Sequence, residues 1–305
     1  MERVTTESEW TSAELYQQAQ TRRRENREKL RKRLEEEEAD DLLKRMEKCG
    51  ERLRLMCTTC GKRHDCETRC DIKWCPSCAY RLAVQTVERY RKLCELAEWP
   101  LFVTLTTKNY TGASVRPLRK AWGKFRRLRW FRKAAKGGVV AFELTEKGKG
   151  YHWHIHALFD CRWLSVSVPE PGRFVNKDAW TARAKAACRE VAEQWSLCTE
   201  RKSSVKVRRV WKRDGGDVTE ACCEVLKYAV SSETLLESRK PIAPVLRLMD
   251  GTRLVTSFGT FFGKAPKRKK TGAKPCECGG QDYMPEFLVD AMIRRGKEER
   301  RKRRR

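Results

Sequence analysis

The chain has only four histidines among 305 residues. Long apolar runs are also missing. None approaches the roughly 18 to 20 residues that a spanning helix needs, so no membrane-crossing segment is expected. The opening MERVTTESEW has no basic region followed by an apolar stretch, so no secretory signal is expected and a cytoplasmic location is. No internal repeat is visible. Acidic residues are heavily outnumbered, 41 against 68 Lys and Arg, which leaves a formal net charge of +27.

A surplus of that size points to a polyanionic partner bound through phosphate neutralisation and counterion release. Charge alone does not separate DNA from RNA. The last twelve residues, RRGKEERRKRRR, hold nine Lys or Arg and two Glu, so +7 sits in the tail and the rest is spread along the chain. With 40% apolar residues the chain is long enough to bury a core as one large domain or two small ones. Fifteen cysteines are present, and seven of them crowd between Cys49 and Cys78. In a reducing compartment such crowding reads as thiolates for a metal rather than as disulfides. Cys57-x-x-Cys60 and Cys75-x-x-Cys78 are spaced like two zinc-ribbon knuckles, and four thiolates complete a tetrahedral structural site. Cys66, Cys70 and His64 are then extra, which leaves room for a second zinc or another ligand choice. Whether Cys276 and Cys278 of CECGG share a metal with this block is left open.

Four regions follow from the pattern. Residues 1–48 are highly charged, with Glu and Arg/Lys at helical spacing, and read as a solvated helical or partly disordered arm. Residues 49–99 hold the cysteine module and a helix, AYRLAVQTVERYRKLCELA. Residues 100–263 alternate short apolar runs with helical ones. LFVTLTT and VVAFELT read as strands. Ser114 to Lys136 reads as helix, Gly137-Gly138 as a turn, and EKGKG as a hairpin loop into the strand YHWHIHALF. Trp180 to Trp195 reads as helix, VKVRRVW as strand, VTEACCEVLKYAVSSETLLE as helix and RLVTSFGTFFG as the last strand. Residues 264–305 form a basic tail. Strands joined by a short loop imply antiparallel pairing, and long helices between the others make the class α+β: an antiparallel sheet with flanking helices, preceded by a small zinc-binding module. Trp122 and Trp130 lie among basic residues that could meet DNA, with core packing the expected role of the rings.

His152, His154 and His156 lie within five residues of one predicted strand. Side chains alternate along a strand, so the three imidazoles share a face while Trp153, Ile155 and Ala157 take the other. Neighbouring imidazoles are poor core material, but two of them can bind one divalent ion. Glu143, the only acid within VVAFELT, is the expected third ligand across the hairpin. Glu146, nearer the turn, is the weaker candidate. The competing reading is a surface row of histidines that makes only hydrogen bonds.

An His-hydrophobic-His strand preceded by LFVTLTT, with a tyrosine on a later helix, resembles the HUH endonuclease superfamily, and more closely the plasmid rolling-circle replication initiators. The likeness covers about Cys57 to Gly263, and HWHIHALF and the cysteine block are its strongest elements. It implies an HUH/RRM-like palm in which His154, His156 and an acid hold a divalent cation, Mn²⁺ or Mg²⁺, against the scissile phosphate. His152 takes the place of the additional histidine often seen before that pair. CDIKWCPSCAYR resembles the cysteine block before the catalytic domain of such initiators, which brings Cys70 in as an alternative zinc ligand.

Cleaving a phosphodiester while conserving its energy needs a covalent nucleophile, and a tyrosine hydroxyl aligned for in-line attack supplies one. Of seven tyrosines, only Tyr228 lies on a predicted helix after the histidine strand. Glu224, four residues earlier, shares its face, where a carboxylate can activate water or a second DNA hydroxyl. The pairing resembles initiators of the one-tyrosine type, in which such a Glu lets hydrolysis end a round. Lys227 matches a basic residue often found beside the nucleophile. Ser231 departs from the Lys often found three residues after the tyrosine. No second Tyr follows within a turn.

The expected activity is nicking of single-stranded origin DNA, giving a 5′-phosphotyrosyl link and a free 3′-OH, with a host helicase and polymerase as further partners. An HUH transposase or relaxase, and a non-enzymatic zinc-ribbon nucleic-acid binder, are the competing classes.

Overall fold

The computed structural model describes residues 12–107, 112–146, 151–170, 177–210, 216–228, 236–238, 240–266, 276–279, 283–285 and 292. Its contacts divide the chain into a larger unit, Met1–Asp40 with Ile72–Pro266, and a smaller one, Asp41–Asp71 with Lys267–Arg305. The first elements are α1 (Ser12–Glu36), α2 (Asp40–Met46), β1 (Arg52–Cys57), β2 (Arg63–Glu67) and α3 (Pro76–Glu95). Next come β3 (Pro100–Thr107), α4 (Arg116–Phe125), α5 (Arg129–Ala134), β4 (Ala135–Glu146) and β5 (Tyr151–Cys161). The chain continues with α6 (Lys177–Thr199), β6 (Ser203–Arg209), α7 (Gly216–Tyr228), α8 (Ala243–Met249), β7 (Val255–Gly259) and β8 (Tyr283–Pro285).

The larger unit is built on a five-stranded sheet in the order β6-β3-β5-β4-β7, with every neighbouring pair antiparallel. The smaller unit holds a three-stranded antiparallel sheet, β2-β1-β8. Helices and two antiparallel sheets make the class α+β, as the sequence pattern predicts. The histidine strand β5 is central, between β3 and β4. Its alternation holds: Trp153, Ile155 and Ala157 are fully buried, while His152, His154 and His156 are only partly covered.

The apolar face of β5 continues to Phe159, which anchors an aromatic layer beneath α4, α5 and α6. The Trp122 ring stacks on Phe159 with centroids 5.9 Å apart and meets Phe131 and Phe258 edge-on at 5.8 and 5.4 Å. Phe125 links this group to Trp195 of α6. Trp122 is therefore core, and Trp130 packs edge-on against Phe125 and Phe131. Such offset and edge-to-face pairs add to the burial of large apolar surfaces. Gly138 makes room for the layer, because a Cβ there would lie 2.4 Å from the Leu158 carbonyl oxygen and 3.0 Å from the Phe159 ring.

Three expectations change. Gly137-Gly138 is not a turn but lies inside β4, where the register with β5 slips between Ala135 and Gly137. The helix expected over 114–136 is two short ones, and the strand begins at Ala135. The two glycines are needed for close backbone approach, not for reversal. Residues near the N-terminus are helix from Ser12, and the end of that helix is docked rather than solvated: Leu30 and Leu34, one turn apart, are completely buried. All of the EKGKG loop but Glu146 (residues 147–150), and residues 229–235 of the expected continuation of α7 past Tyr228, lie outside those described.

Between β5 and α6 the chain is tied down by one carboxylate. Glu190 accepts hydrogen bonds from the Ser165 and Ser167 hydroxyls and from the Val166 and Ser167 amides. Partial burial raises its pKa, but those four donors outweigh burial and hold it at about 2, below the ordinary 4.5. A lowered folded-state pKa stabilises the fold above the unfolded value, and that contribution fades as pH falls from 4.5 toward 2. Glu190→Gln should flatten the acid limb of the stability curve in this window, as followed by urea unfolding at a series of pH values. Phe159→Ala should lower unfolding free energy by about 3–5 kcal/mol, the range for emptying a large aromatic site, in the same measurement at neutral pH.

Candidate functional site

The hairpin register decides what surrounds the imidazoles. On one side Glu143 stands opposite His154, Ala141 opposite His156 and Thr145 opposite His152. On the other side Thr106 stands opposite His154 and Thr104 opposite His156. Directly opposed residues on an antiparallel pair share a face, so Glu143, Thr104, Thr106 and Thr145 all lie on the histidine face. His156 Nε2 is 2.7 Å from the Glu143 carboxylate, and both side chains are mostly covered. The Nδ1 atoms of His154 and His156 face the hydroxyls of Thr106 (3.1 Å) and Thr104 (3.3 Å). His154 Nε2 lies 3.2 Å from the Thr145 hydroxyl. Nε2–H of His156 donates to Glu143, so Nδ1 of the neutral ring accepts from the Thr104 hydroxyl. A cation at Nε2 would take the place of that proton and reverse the Thr104 contact, with Nδ1–H donating as is typical of a metal-binding imidazole. The two rings are 6.3 Å apart. Ligating atoms of His154, His156 and Glu143 do not all come within 4.8 Å of one another. Glu146 pairs with Tyr151 at the hairpin end, away from this group.

Helix α7 packs on α3 and on the central strands β5, β4 and β3. Its Glu224 forms an ion pair with Arg208 of β6. Arg208 stands opposite Phe102 in the register and lies 5.0 Å over its ring, and Phe102 is 6.1 Å from the His156 ring. Glu224 is thereby joined through Arg208 and Phe102 to the histidine face. Lys227 and Tyr228 are the last two residues of α7, and their side chains lie outside those described.

In the smaller unit the β1–β2 hairpin carries Cys57 and Cys60, and β8 pairs with β1 through Cys57↔Tyr283. This third strand brings Cys276 and Cys278 back to the hairpin. The four sulfurs lie within 4.8 Å of one another, with Cys57–Cys278 at 3.7 Å and Cys60–Cys276 at 3.4 Å. A tetrahedral zinc with bonds of about 2.3 Å to sulfur needs sulfur–sulfur edges of roughly 3.8 Å, so the group fits. The amides of Cys60 and Thr59 and the Cys278 thiol favour the thiolate of Cys57, which is held at about 6. At Cys60 the Lys62 amide acts in the same direction, but the Cys278 and Cys276 thiols outweigh it and push the pKa up to about 12. Crowded thiols cannot all ionise without a cation among them. His64 Nε2 lies 3.4 Å from the Cys276 sulfur, and a Lys62–Glu277 ion pair spans the two ligand segments.

A family model described as "Replication protein", Rep_1, matches residues 62–283, well over half of the chain. This chain belongs to the rolling-circle plasmid replication-protein family. No curated protein and no solved structure matches it.

In this replication protein, Cys57 and Cys60 are grouped with Cys276 and Cys278, and the Cys75–Cys78 pair expected beside them belongs to a separate set of candidate metal ligands. The reason is topological, since the thiols gathered around Cys57 and Cys60 lie more than two hundred residues away and come just before a strand too short to read from sequence. Cys70 lies in the smaller unit. Cys75 caps α3 and Cys78 lies in its first turn, both in the larger unit. His152 stands opposite Thr145 at the open end of the row. Sequence reasoning missed Thr104, Thr106 and Arg208. The alternation of Thr104 and Thr106 in LFVTLTT was the available signal for the first two, while Arg208 is one of many basic residues. No helix among the described residues is long and apolar enough to cross a membrane. Cys276→Ser combined with Cys278→Ser should lower bound zinc by one equivalent per chain, measured by atomic absorption, and expose residues near Tyr283 to protease. Unchanged zinc content in that variant would show that these thiols hold no metal.

Proposed function

We propose that this replication protein starts rolling-circle replication by nicking single-stranded origin DNA through Tyr228. The observation that supports this most is the Glu143–His156 pair with His154 beside it, buttressed by Thr104 and Thr106 on the sheet face that Glu224 of α7 also reaches. His154, His156 and Glu143 would hold a divalent cation, Mn²⁺ or Mg²⁺, with His152 as an additional ligand. Imidazole suits Mn²⁺, and Mg²⁺ prefers oxygen. Binding would draw His154 away from Thr145. When bound, the ion supplies charge stabilisation at the scissile phosphate.

The protein's own residues do the rest. The Tyr228 hydroxyl attacks phosphorus, the bond to the 3′ oxygen breaks, and that oxygen leaves as a 3′-OH from which a polymerase can extend. Phosphorus stays on the tyrosine as a 5′-phosphotyrosyl link, so bond energy is kept. Lys227 adds positive charge beside the phosphate. Glu224 takes a proton from water, or from a second DNA hydroxyl, that attacks the same phosphorus and releases Tyr228. The basic tail and the surplus positive charge hold DNA without reading its sequence. A cytoplasmic location and a host helicase and polymerase as partners follow from this role.

Tyr228→Phe should abolish covalent adduct with single-stranded origin DNA in Mn²⁺ or Mg²⁺, while binding stays within about twofold, since only one hydroxyl is lost. Glu224→Ala should nick and then accumulate adduct. Denaturing gels and a filter-binding titration read both. An adduct formed undiminished by the Tyr228→Phe variant rules out this nucleophile. Wild-type protein that binds DNA yet never joins to it supports a non-enzymatic binding module instead.

A further inference from the structure

The N-terminal helix α1 ends in a clamp on the segment that follows the tyrosine helix. Arg33 donates from one guanidinium to three carbonyl oxygens: Leu236 at 3.3 Å, Ser238 at 2.6 Å and Lys240 at 2.5 Å. Glu37, one turn on and 3.5 Å from Arg33, accepts from the amides of Ile242 at 2.8 Å and Ala243 at 2.7 Å. Two side chains thus hold five backbone groups between residues 236 and 243. Both are largely shielded, at 18% and 17% exposure, so solvent weakens these contacts far less than it does surface pairs. The helix is fixed beneath them by Leu30 and Leu34, which are completely buried. A guanidinium fork and a carboxylate are suited to this job, because backbone carbonyls need donors and amides need acceptors, and an ionised partner makes the stronger bond.

The same segment is also held from the histidine strand. Tyr151, the first residue of β5 and next to His152, donates its hydroxyl to the Pro241 carbonyl at 3.1 Å, and the Lys240 ammonium lies 5.3 Å over its ring. Residues 236–238 and 240–243 therefore bridge the end of α1 and the start of the strand that bears the imidazoles. They also lie downstream of α7, the helix that ends at Tyr228, and lead through α8 into β7.

We propose that Arg33 and Glu37 are positioning residues for DNA cleavage, fixing the chain after the nucleophile helix against the histidine strand. This rests on the nicking role given to Tyr228 above. The charged helix thus serves the site from within the fold, rather than as a free arm for DNA. In-line attack tolerates little displacement, and misplacement by about 1 Å can lower a rate by up to about 100-fold.

The test uses the full chain and a single-stranded origin oligonucleotide with Mn²⁺. In Arg33→Ala and Glu37→Ala, the single-turnover rate of adduct formation at saturating DNA should fall by roughly tenfold or more. The dissociation constant for DNA should stay within about twofold, and Arg33→Lys should recover only part of the rate, since an ammonium cannot span three carbonyls. Hydrogen exchange at the Ile242 and Ala243 amides should quicken in Glu37→Ala, and Glu37→Gln provides a milder variant where the alanine form fails to fold. Weakened DNA binding with an unchanged rate would overturn the proposal and make α1 a DNA arm. An unchanged rate despite faster exchange would also overturn it. Unchanged exchange disproves the clamp itself, whereas a wild-type chain that forms no adduct counts against the nicking role of Tyr228.

Discussion

The pairing of β4 with β5 is the constraint on which the rest depends. Its register sets Glu143 opposite His154 and leaves its carboxylate at hydrogen-bond distance from His156. A slip of one residue would send Glu143 to the opposite face, among Trp153 and Ile155, where an ionised carboxylate has no partner. The pattern of β5 forbids that slip, because Trp153, Ile155, Ala157 and Phe159 must remain in the core. The aromatic layer under α4, α5 and α6 thus fixes the chemistry on the far face of the sheet. β3 adds the second constraint by presenting Thr104 and Thr106 to the two Nδ1 atoms.

The local part of this arrangement was readable from sequence. Strict alternation in YHWHIHALF predicts both faces of β5, and the short loop predicts the antiparallel hairpin that brings Glu143 alongside. LFVTLTT and the VKVRR part of VKVRRVW are strands as expected because β-branched residues suit a half-buried pleated surface. Long-range features were not readable. The sheet order β6-β3-β5-β4-β7 joins strands that are distant in sequence, and the thiols that complete the Cys57–Cys60 group lie just before a three-residue strand, β8. Gly137-Gly138 misled because paired glycines mark turns by their flexibility, whereas here they allow close packing against Phe159 and the neighbouring backbone.

Charge misled in a similar way. Residues 12–36 have a strongly polar composition, and a solvated arm is the natural reading. What distinguishes the docked end is a Leu30–Leu34 spacing of four, interleaved with Arg33 and Glu37 whose partners are backbone groups more than two hundred residues away. Backbone acceptors and donors leave no trace in a sequence pattern. Charged side chains that bind them look the same as charges facing water. Membership of the replication-protein family gives the biological setting, and the imidazole–carboxylate face with α7 packed on the central strands provides the chemistry proposed for it.

Anomalous scattering from crystals grown with Mn²⁺ tests the central claim most directly. The account predicts a peak bonded to Nε2 of His154, Nε2 of His156 and an oxygen of Glu143, with the two Nδ1 atoms still on Thr106 and Thr104. A face left without manganese while Glu143 stays hydrogen-bonded to His156, or an ion bound through other residues, would contradict it.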